Sequence, residues 1–433
     1  MSPESVGIIG LAVLVVTLLS GMPVAFVMAA VGFIGFSSLV SLNAGLNILA
    51  TDVFAIFSSY DLTVVPMFVF MGSLAFASGA GGRLYDTAYK FLGQMNGGLL
   101  MATIGTSALF AAMCGSGNAA AATLAKVALP EMKRYHYNEG IACGAVASGG
   151  TLGVLIPPST IFIVYGIITG TSIGKLFVSG ILPGIVLTIF FLIAVYVVCR
   201  IRPAFGPAGP RSSWKEKLRS LSGVTEMLIL FVFVIGGLFV GLFTPTEAGG
   251  VGAVGALSAG LVTRKLTWRG FVDSLFDTAM ITCMLFVIVT GAIIFGHFIA
   301  VTKIPVGIAG WLQGLALPKE MVIGVIILIY VIGGCFIDVL ALILLTVPIF
   351  FPVVTNLGFD PIWFGVIVVL IAQIGAVTPP IGMCVYVVHG VNPDVPLQTI
   401  FRGIIPFFIA MVACAGLLIV FPEMALFLPG LMR

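Results

Sequence analysis

Residues 5–51 of this chain contain no Asp, Glu, Lys or Arg. The same holds for 176–199, 227–246, 248–263, 278–302, 321–337, 339–359, 361–393 and 403–422. A helix needs about 20 apolar residues to cross the hydrocarbon layer of a bilayer. Several of these stretches have that length and others fall short of it. Of the 433 residues, 60% are hydrophobic and 8% charged, against about 25% charged in soluble domains. So little polar surface excludes a water-soluble globule. Seven cysteines stand singly (114, 143, 199, 283, 335, 384, 414), which argues against a disulfide framework or a zinc site. Glu4 and the lack of a basic leader mark the first apolar run as a retained span, not a cleaved signal.

The prolines reveal an internal repeat. Pro23 pairs with Pro245, Pro130 with Pro352, Pro157 with Pro379 and Pro158 with Pro380, each pair 222 residues apart. Gly153 and Gly375 share that offset, so Gly-x-x-x-Pro-Pro occurs twice. With a slip of one residue, Gly180-Ile181-Leu182-Pro183 matches Gly403-Ile404-Ile405-Pro406. The chain divides into repeat one (1–199), a basic linker (200–222) and repeat two (223–433). Arg200, Arg202, Arg211, Lys215, Lys217 and Arg219 against the single Glu216 place the linker in the cytoplasm by the positive-inside rule.

Repeat one is expected to supply spans at 5–20, 24–42, 62–79 and 176–199 and a broken span at 140–169. Between them, 98–132 forms two short apolar halves meeting at Cys114-Gly115-Ser116-Gly117-Asn118, a re-entrant hairpin. Repeat two supplies 224–242, 247–263, 277–300, a broken 360–389 and 399–422. Its hairpin, 320–352, turns near Gly334–Asp338. Five spans per repeat is odd, so the second repeat enters the membrane inverted. The expected fold class is therefore an all-α polytopic membrane protein of two inverted repeats. Both termini come out external. Fourteen basic residues fall in cytoplasmic segments and four in outer ones, with Lys126 inside the first hairpin. Segments 43–60 and 304–318 read as interfacial helices.

The Pro-Pro pairs carry the clearest chemistry. Proline cannot donate to the carbonyl four residues back. Pro157 and Pro158 thus release the carbonyls of Gly153 and Val154, and Pro379 and Pro380 those of Gly375 and Ala376. Unwound carbonyls and half-helix ends coordinate Na⁺ in inverted-repeat transporters, although membrane helices also tolerate plain proline kinks. Ser116 and Asn118 add hard oxygens at the first tip, and Thr151 adds a hydroxyl near the first break. Thr378 stands beside the second break, with Gln373 five residues earlier. Asp338, aligned with Ser116, is the only acid between 321 and 359. An ionisable group at membrane depth defaults to function, here as an anionic Na⁺ ligand or a proton carrier. Lys126 either meets an anionic substrate or snorkels to the interface. Gly117 completes the candidate substrate residues with Thr151, Lys126 and Gln373.

Gly115-Ser116-Gly117-Asn118-Ala119, Gly153-x-x-x-Pro157-Pro158-Ser159, Gly180-Ile181-Leu182-Pro183 and Thr378-Pro379-Pro380-Ile381-Gly382 resemble the large membrane subunit of the TRAP (tripartite ATP-independent periplasmic) transporters, over essentially the whole chain. The resemblance implies an elevator-type Na⁺ symporter of the bacterial inner membrane. It implies cargo such as C4-dicarboxylates or sialic acids, delivered by a periplasmic binding protein. It also implies a small four-helix membrane subunit as a separate chain, since no four-helix block precedes residue 5. One Na⁺ site would use Ser116, Asn118, Gly153, Val154 and Pro157, and the other Asp338, Gly375, Thr378 and Pro379. No nucleic acid and no catalysis are expected.

Three rivals remain. A stand-alone Na⁺/dicarboxylate symporter would need no binding protein. A channel would lack a charged ring here. A rhomboid-like protease would want glycine where Cys114 stands.

Overall fold

The computed structural model describes residues 2–432 except 115–116, 210, 308–309 and 311–317. The described residues form twenty α-helices and two short 3-10 turns. The first half runs α1 (Pro3–Leu19), α2 (Val24–Leu39), α3 (Leu42–Phe57), α4 (Val64–Ala77), α5 (Ala80–Leu92), α6 (Gly98–Cys114), α7 (Gly117–Arg134), α8 (Glu139–Leu155), α9 (Thr160–Thr169) and α10 (Ile173–Ile201). The second runs α11 (Trp214–Leu221), α12 (Thr225–Val240), α13 (Pro245–Val262), α14 (Trp268–Thr302), α15 (Lys319–Gly334), α16 (Val339–Asn356), α17 (Pro361–Ala376), α18 (Met383–Val391), α19 (Leu397–Val420) and α20 (Glu423–Leu431). Helix starts follow the proline spacing. Gly117 and Val339 open α7 and α16, and Glu139 and Pro361 open α8 and α17, each pair 222 positions apart.

Local chemistry sets these boundaries. Asn138 accepts from the Ile141 N–H at 3.2 Å to start α8, and Asp360 accepts from Ile362 and Trp363 N–H to start α17. Thr244 and Glu247 close a reciprocal capping box at the start of α13, the structural role that a Glu two residues after Pro245 suggests. By length and composition, five stretches cross a membrane: Glu139–Thr169 taken across its break, Ile173–Ile201, Trp268–Thr302, Val339–Asn356 and Leu397–Val420. Two bent pairs, Leu42–Phe57 with Asp61–Ala77 (53°) and Trp214–Leu221 with Thr225–Val240 (50°), bring the number to seven. Pro3–Leu18 and Val24–Leu39 are apolar but shorter.

The helices pack as two groups. In one, α2, α3 and α4 of the first half interleave with α13 and α14 of the second, flanked by α1 and α12. In the other, α6 and α7 pack on α8, α15 and α16 pack on α17, and α18, α19 and α10 complete the body. Its centre is fully sequestered: every residue from Gly140 to Leu155 and from Trp363 to Ala376 is buried. A helix apolar all round belongs in such a core. Close approach is set by glycine. A Cβ on Gly375 of α17 would come within 2.5 Å of the Gly334 Cα of α15, and one on Gly144 of α8 within 2.5 Å of the Gly403 backbone of α19.

Charge gaps alone do not anticipate α5 and α11, because both are amphipathic and carry charge. They lie against each other. Arg83 of α5 donates to Glu226 (2.8 Å), to the Gly223 carbonyl (2.8 Å) and to the Ser78 carbonyl (2.9 Å). Arg83 thereby ties the connection between the two helix groups to the start of α12.

Candidate functional site

The second leg of the first hairpin, the tip of the second hairpin and both proline breaks border one cavity of about 590 Å³. Gly117, Asn118, Ala122, Thr123 and Lys126 of α7 line one wall. Their spacing of about four residues puts them on one helical face. Val154 and Thr160 flank the first break; Gln373, Ala376, Met383 and Cys384 flank the second; Asp338 and Val339 come from the hairpin between them. The opposite wall belongs to the other helix group: Gly72, Ser73 and Phe76 of α4, and Asp277, Ile281 and Met284 of α14. The cavity thus lies between the two groups. Phe76, near the end of α4, closes that wall.

Four helix N-termini meet this space. Gly117, Val339 and Met383 open α7, α16 and α18, Thr160 opens α9, and all four line the cavity. Each N-terminus carries a partial positive charge, though Asp338 already caps α16 and Ser159 caps α9. Hard oxygens stand beside them. Asp338 caps α16, its Oδ2 accepting from the Leu340 N–H at 3.0 Å, and it is half-buried. Asn118 Oδ1 accepts from the Cys384 thiol at 3.4 Å, which joins the first hairpin to the break of the second half. Gln373 is 4% exposed, and its Oε1 has no hydrogen-bond partner among the described residues. A buried amide oxygen without a partner is costly, and this one faces a cavity.

The breaks differ from expectation in one detail. Pro157 and Pro158 have no N–H for the Gly153 and Val154 carbonyls. At the second break, however, the Thr378 N–H donates to the Gly375 carbonyl at 2.9 Å. The last turn of α17 has tightened into three-residue hydrogen bonds, a common way for a helix end to satisfy itself. The Gly375 oxygen is therefore partnered, with one lone pair remaining. Thr378 Oγ1 donates to the Ile374 carbonyl at 2.6 Å.

Of the residues singled out from sequence, Gly117, Asn118, Lys126, Val154, Asp338 and Gln373 share the cavity wall. Gly153, Pro157, Gly375, Thr378 and Pro379 occupy the two breaks and their approaches behind that wall. Thr151 is buried and donates to the Ser148 carbonyl at 2.6 Å, away from the cavity. Ser116 lies outside the described residues. Sequence reasoning missed Asp277, Ser73, Thr123, Thr160 and Cys384. Asp277 carried a signal, since it bounds an uncharged run and Ile281 and Met284 follow it on the same helical face.

A family profile described as "Tripartite ATP-independent periplasmic transporter, DctM component" matches residues 11–424. The chain is 36% identical, over 88% of its length and 89% of the relative's, to the C4-dicarboxylate TRAP transporter large permease protein DctM of Pseudomonas aeruginosa. It is 34% identical, over 96% of both chains, to the sialic acid TRAP transporter large permease protein SiaM of Vibrio cholerae. The ectoine/5-hydroxyectoine TRAP transporter large permease protein UehC of Ruegeria pomeroyi is 31% identical over 96% of this chain and 97% of its own. Among solved structures, the Alcanivorax borkumensis YdaH transporter superposes with a TM-score of 0.62 at 15% identity, covering 88% of this chain and 89% of that one. That likeness concerns the fold.

Proposed function

The chain belongs to the DctM component family of the tripartite ATP-independent periplasmic transporters, as a large permease and not an enzyme, and on that premise we propose that it imports a small organic anion by Na⁺ symport. The observation that carries this reading is the convergence of two hairpins and two proline breaks on one cavity between two helix groups. Na⁺ is a hard cation that prefers carbonyl, carboxylate and amide oxygens. Asn118 with the Gly153 and Val154 carbonyls beside Pro157 forms the first proposed site, to which Ser116 belongs by position. Asp338 with Gly375, Thr378 and Pro379 forms the second. The helix N-termini at the cavity hold the substrate's negative charge.

Transport follows as an elevator: the hairpin group carries cavity and cargo along the wall formed by α4 and α14. The linker faces the cytoplasm of a bacterium, and both termini face the periplasm. A small membrane subunit, as a separate chain, covers apolar surface on the α1–α4 and α12–α14 group. A periplasmic binding protein delivers the cargo, as the names of the relatives' systems suggest.

The test is uptake into proteoliposomes containing the chain and its small subunit, with binding protein added outside, with and without a Na⁺ gradient. Uptake that requires both additions is expected. Uptake indifferent to Na⁺ removes the coupling, and uptake without binding protein favours a stand-alone dicarboxylate symporter.

A further inference from the structure

The charges that line the cavity are lopsided. Among its described lining residues, Lys126 is the one cation, and Asp277 and Asp338 are the acids. Asp338 is engaged at the second hairpin tip, where it caps α16. Lys126 and Asp277 remain. They stand on opposite walls, Lys126 on α7 of the hairpin group and Asp277 on α14 of the facing group. Both are exposed to the cavity, and neither forms an ion pair with any described group. Two opposite charges face one space and leave it open between them.

We propose that this space selects a cargo with one anionic group and hydrogen-bond donors at its other end, such as a zwitterion or a hydroxyl-rich monocarboxylate. The inference rests on the transporter reading and narrows its substrate. The anionic head meets the Lys126 ammonium on the α7 wall, a charge-assisted contact. The donor end meets the Asp277 carboxylate, with Ser73 and Thr123 lining the same mouth. A dicarboxylate fits poorly. Its second carboxylate would face Asp277 or Asp338, and like charges set against each other at a site are strongly disfavoured. Asp277 is thus a specificity residue that acts by repelling the wrong cargo as well as holding the right one.

Protection of a cavity thiol from chemical modification reads this directly and needs neither partner protein nor Na⁺ gradient. Ala122→Cys on the α7 wall is introduced into a Cys283→Ala background, and the purified chain in nanodiscs is treated with an anionic methanethiosulfonate. The background protein supplies the rate at the native cysteines. The protecting probes are succinate, N-acetylneuraminate and ectoine at equal concentration. N-acetylneuraminate or ectoine is expected to slow modification at least about fivefold more than succinate. Asp277→Asn is expected to erase that preference, and Lys126→Gln to abolish protection by either favoured probe. Equal or better protection by succinate overturns the inference. So does an unchanged preference in Asp277→Asn, or protection by none of the three. Failure of Na⁺-driven uptake is a separate result and bears on the transporter reading instead.

Discussion

The two proline breaks come from matching sequence and end in unlike surroundings. Ile156, Pro157, Pro158 and Ser159 are all buried, whereas Pro379, Pro380 and Ile381 are exposed. The first break ends on Ser159, whose hydroxyl accepts from the Phe162 N–H at 3.3 Å. The second ends on Gly382 at φ 63° with no side-chain cap. The hairpins diverge in the same way. The second leg of the first hairpin is alanine-rich and carries Lys126; the second leg of the other is bulky and apolar, with Pro348 in the equivalent place 222 residues on. Repetition sets where the backbone must break. It does not make the halves equivalent, because the first break is enclosed and the second exposed.

The largest expected effect follows from the charge difference between the two proposed ion sites. The first has only neutral oxygens among its described residues, and the second has the Asp338 carboxylate. Opposite unit charges about 4 Å apart attract by roughly 4 kcal/mol at an effective dielectric near 20. Asp338→Asn is therefore expected to weaken the Na⁺ dependence of uptake on the order of 1000-fold. Asn118→Ala removes one neutral ligand, worth about 1 kcal/mol, and is expected to cost about fivefold. Na⁺ titration of initial uptake rates measures both. Equal effects would mean that the two sites do not differ in the way their side chains suggest.

Packing gives the next effect, and here the halves should behave alike. A Cβ on Gly375 meets the backbone of Gly334, and one on Gly150 comes within 2.7 Å of the Gly117 carbonyl oxygen. In both places the neighbour is main chain of a hairpin leg and cannot turn aside. Gly375→Ala and Gly150→Ala are each expected to destabilise by about 1–3 kcal/mol, seen as lowered thermal unfolding temperatures in nanodiscs. A neutral result at one position would show that its hairpin has room to shift.

How far the sequence disclosed all this depends on what each residue type reports. Prolines and glycines act on their own backbone, so Pro157, Pro158, Pro379 and Pro380 located both breaks without tertiary knowledge. Uncharged runs located helices for a similar reason, since burial in lipid is a property of the segment itself. The amphipathic α5 and α11 escaped because their burial depends on each other and on Arg83. Asp277 escaped because only the fold brings α14 across from α7. The partner of the Gly375 carbonyl was hidden too, since proline spacing says which N–H groups are missing but not how the preceding turn tightens. The unequal burial of the two breaks is tertiary in the same sense.

The smallest effects test how each break ends. Ser159→Ala removes a buried cap from α9 and is expected to cost about 1 kcal/mol. Gly382→Ala forces a Cβ into the left-handed region, at about 1–2 kcal/mol, and brings it within 2.8 Å of the Phe401 ring. The substitutions should separate by where they act. Ser159 is enclosed, so its loss leaves the Phe162 N–H without that partner and should lower stability while leaving Na⁺ dependence alone. Gly382 immediately precedes Met383 and Cys384 on the cavity wall. Its substitution should therefore also change the rate at which Cys384 reacts with thiol reagents, by about twofold or more if the α18 N-terminus shifts. A stability loss at Gly382 with unchanged Cys384 reactivity would mean that the exposed break bends without moving the cavity, and the contrast between the two breaks would then be one of surroundings alone.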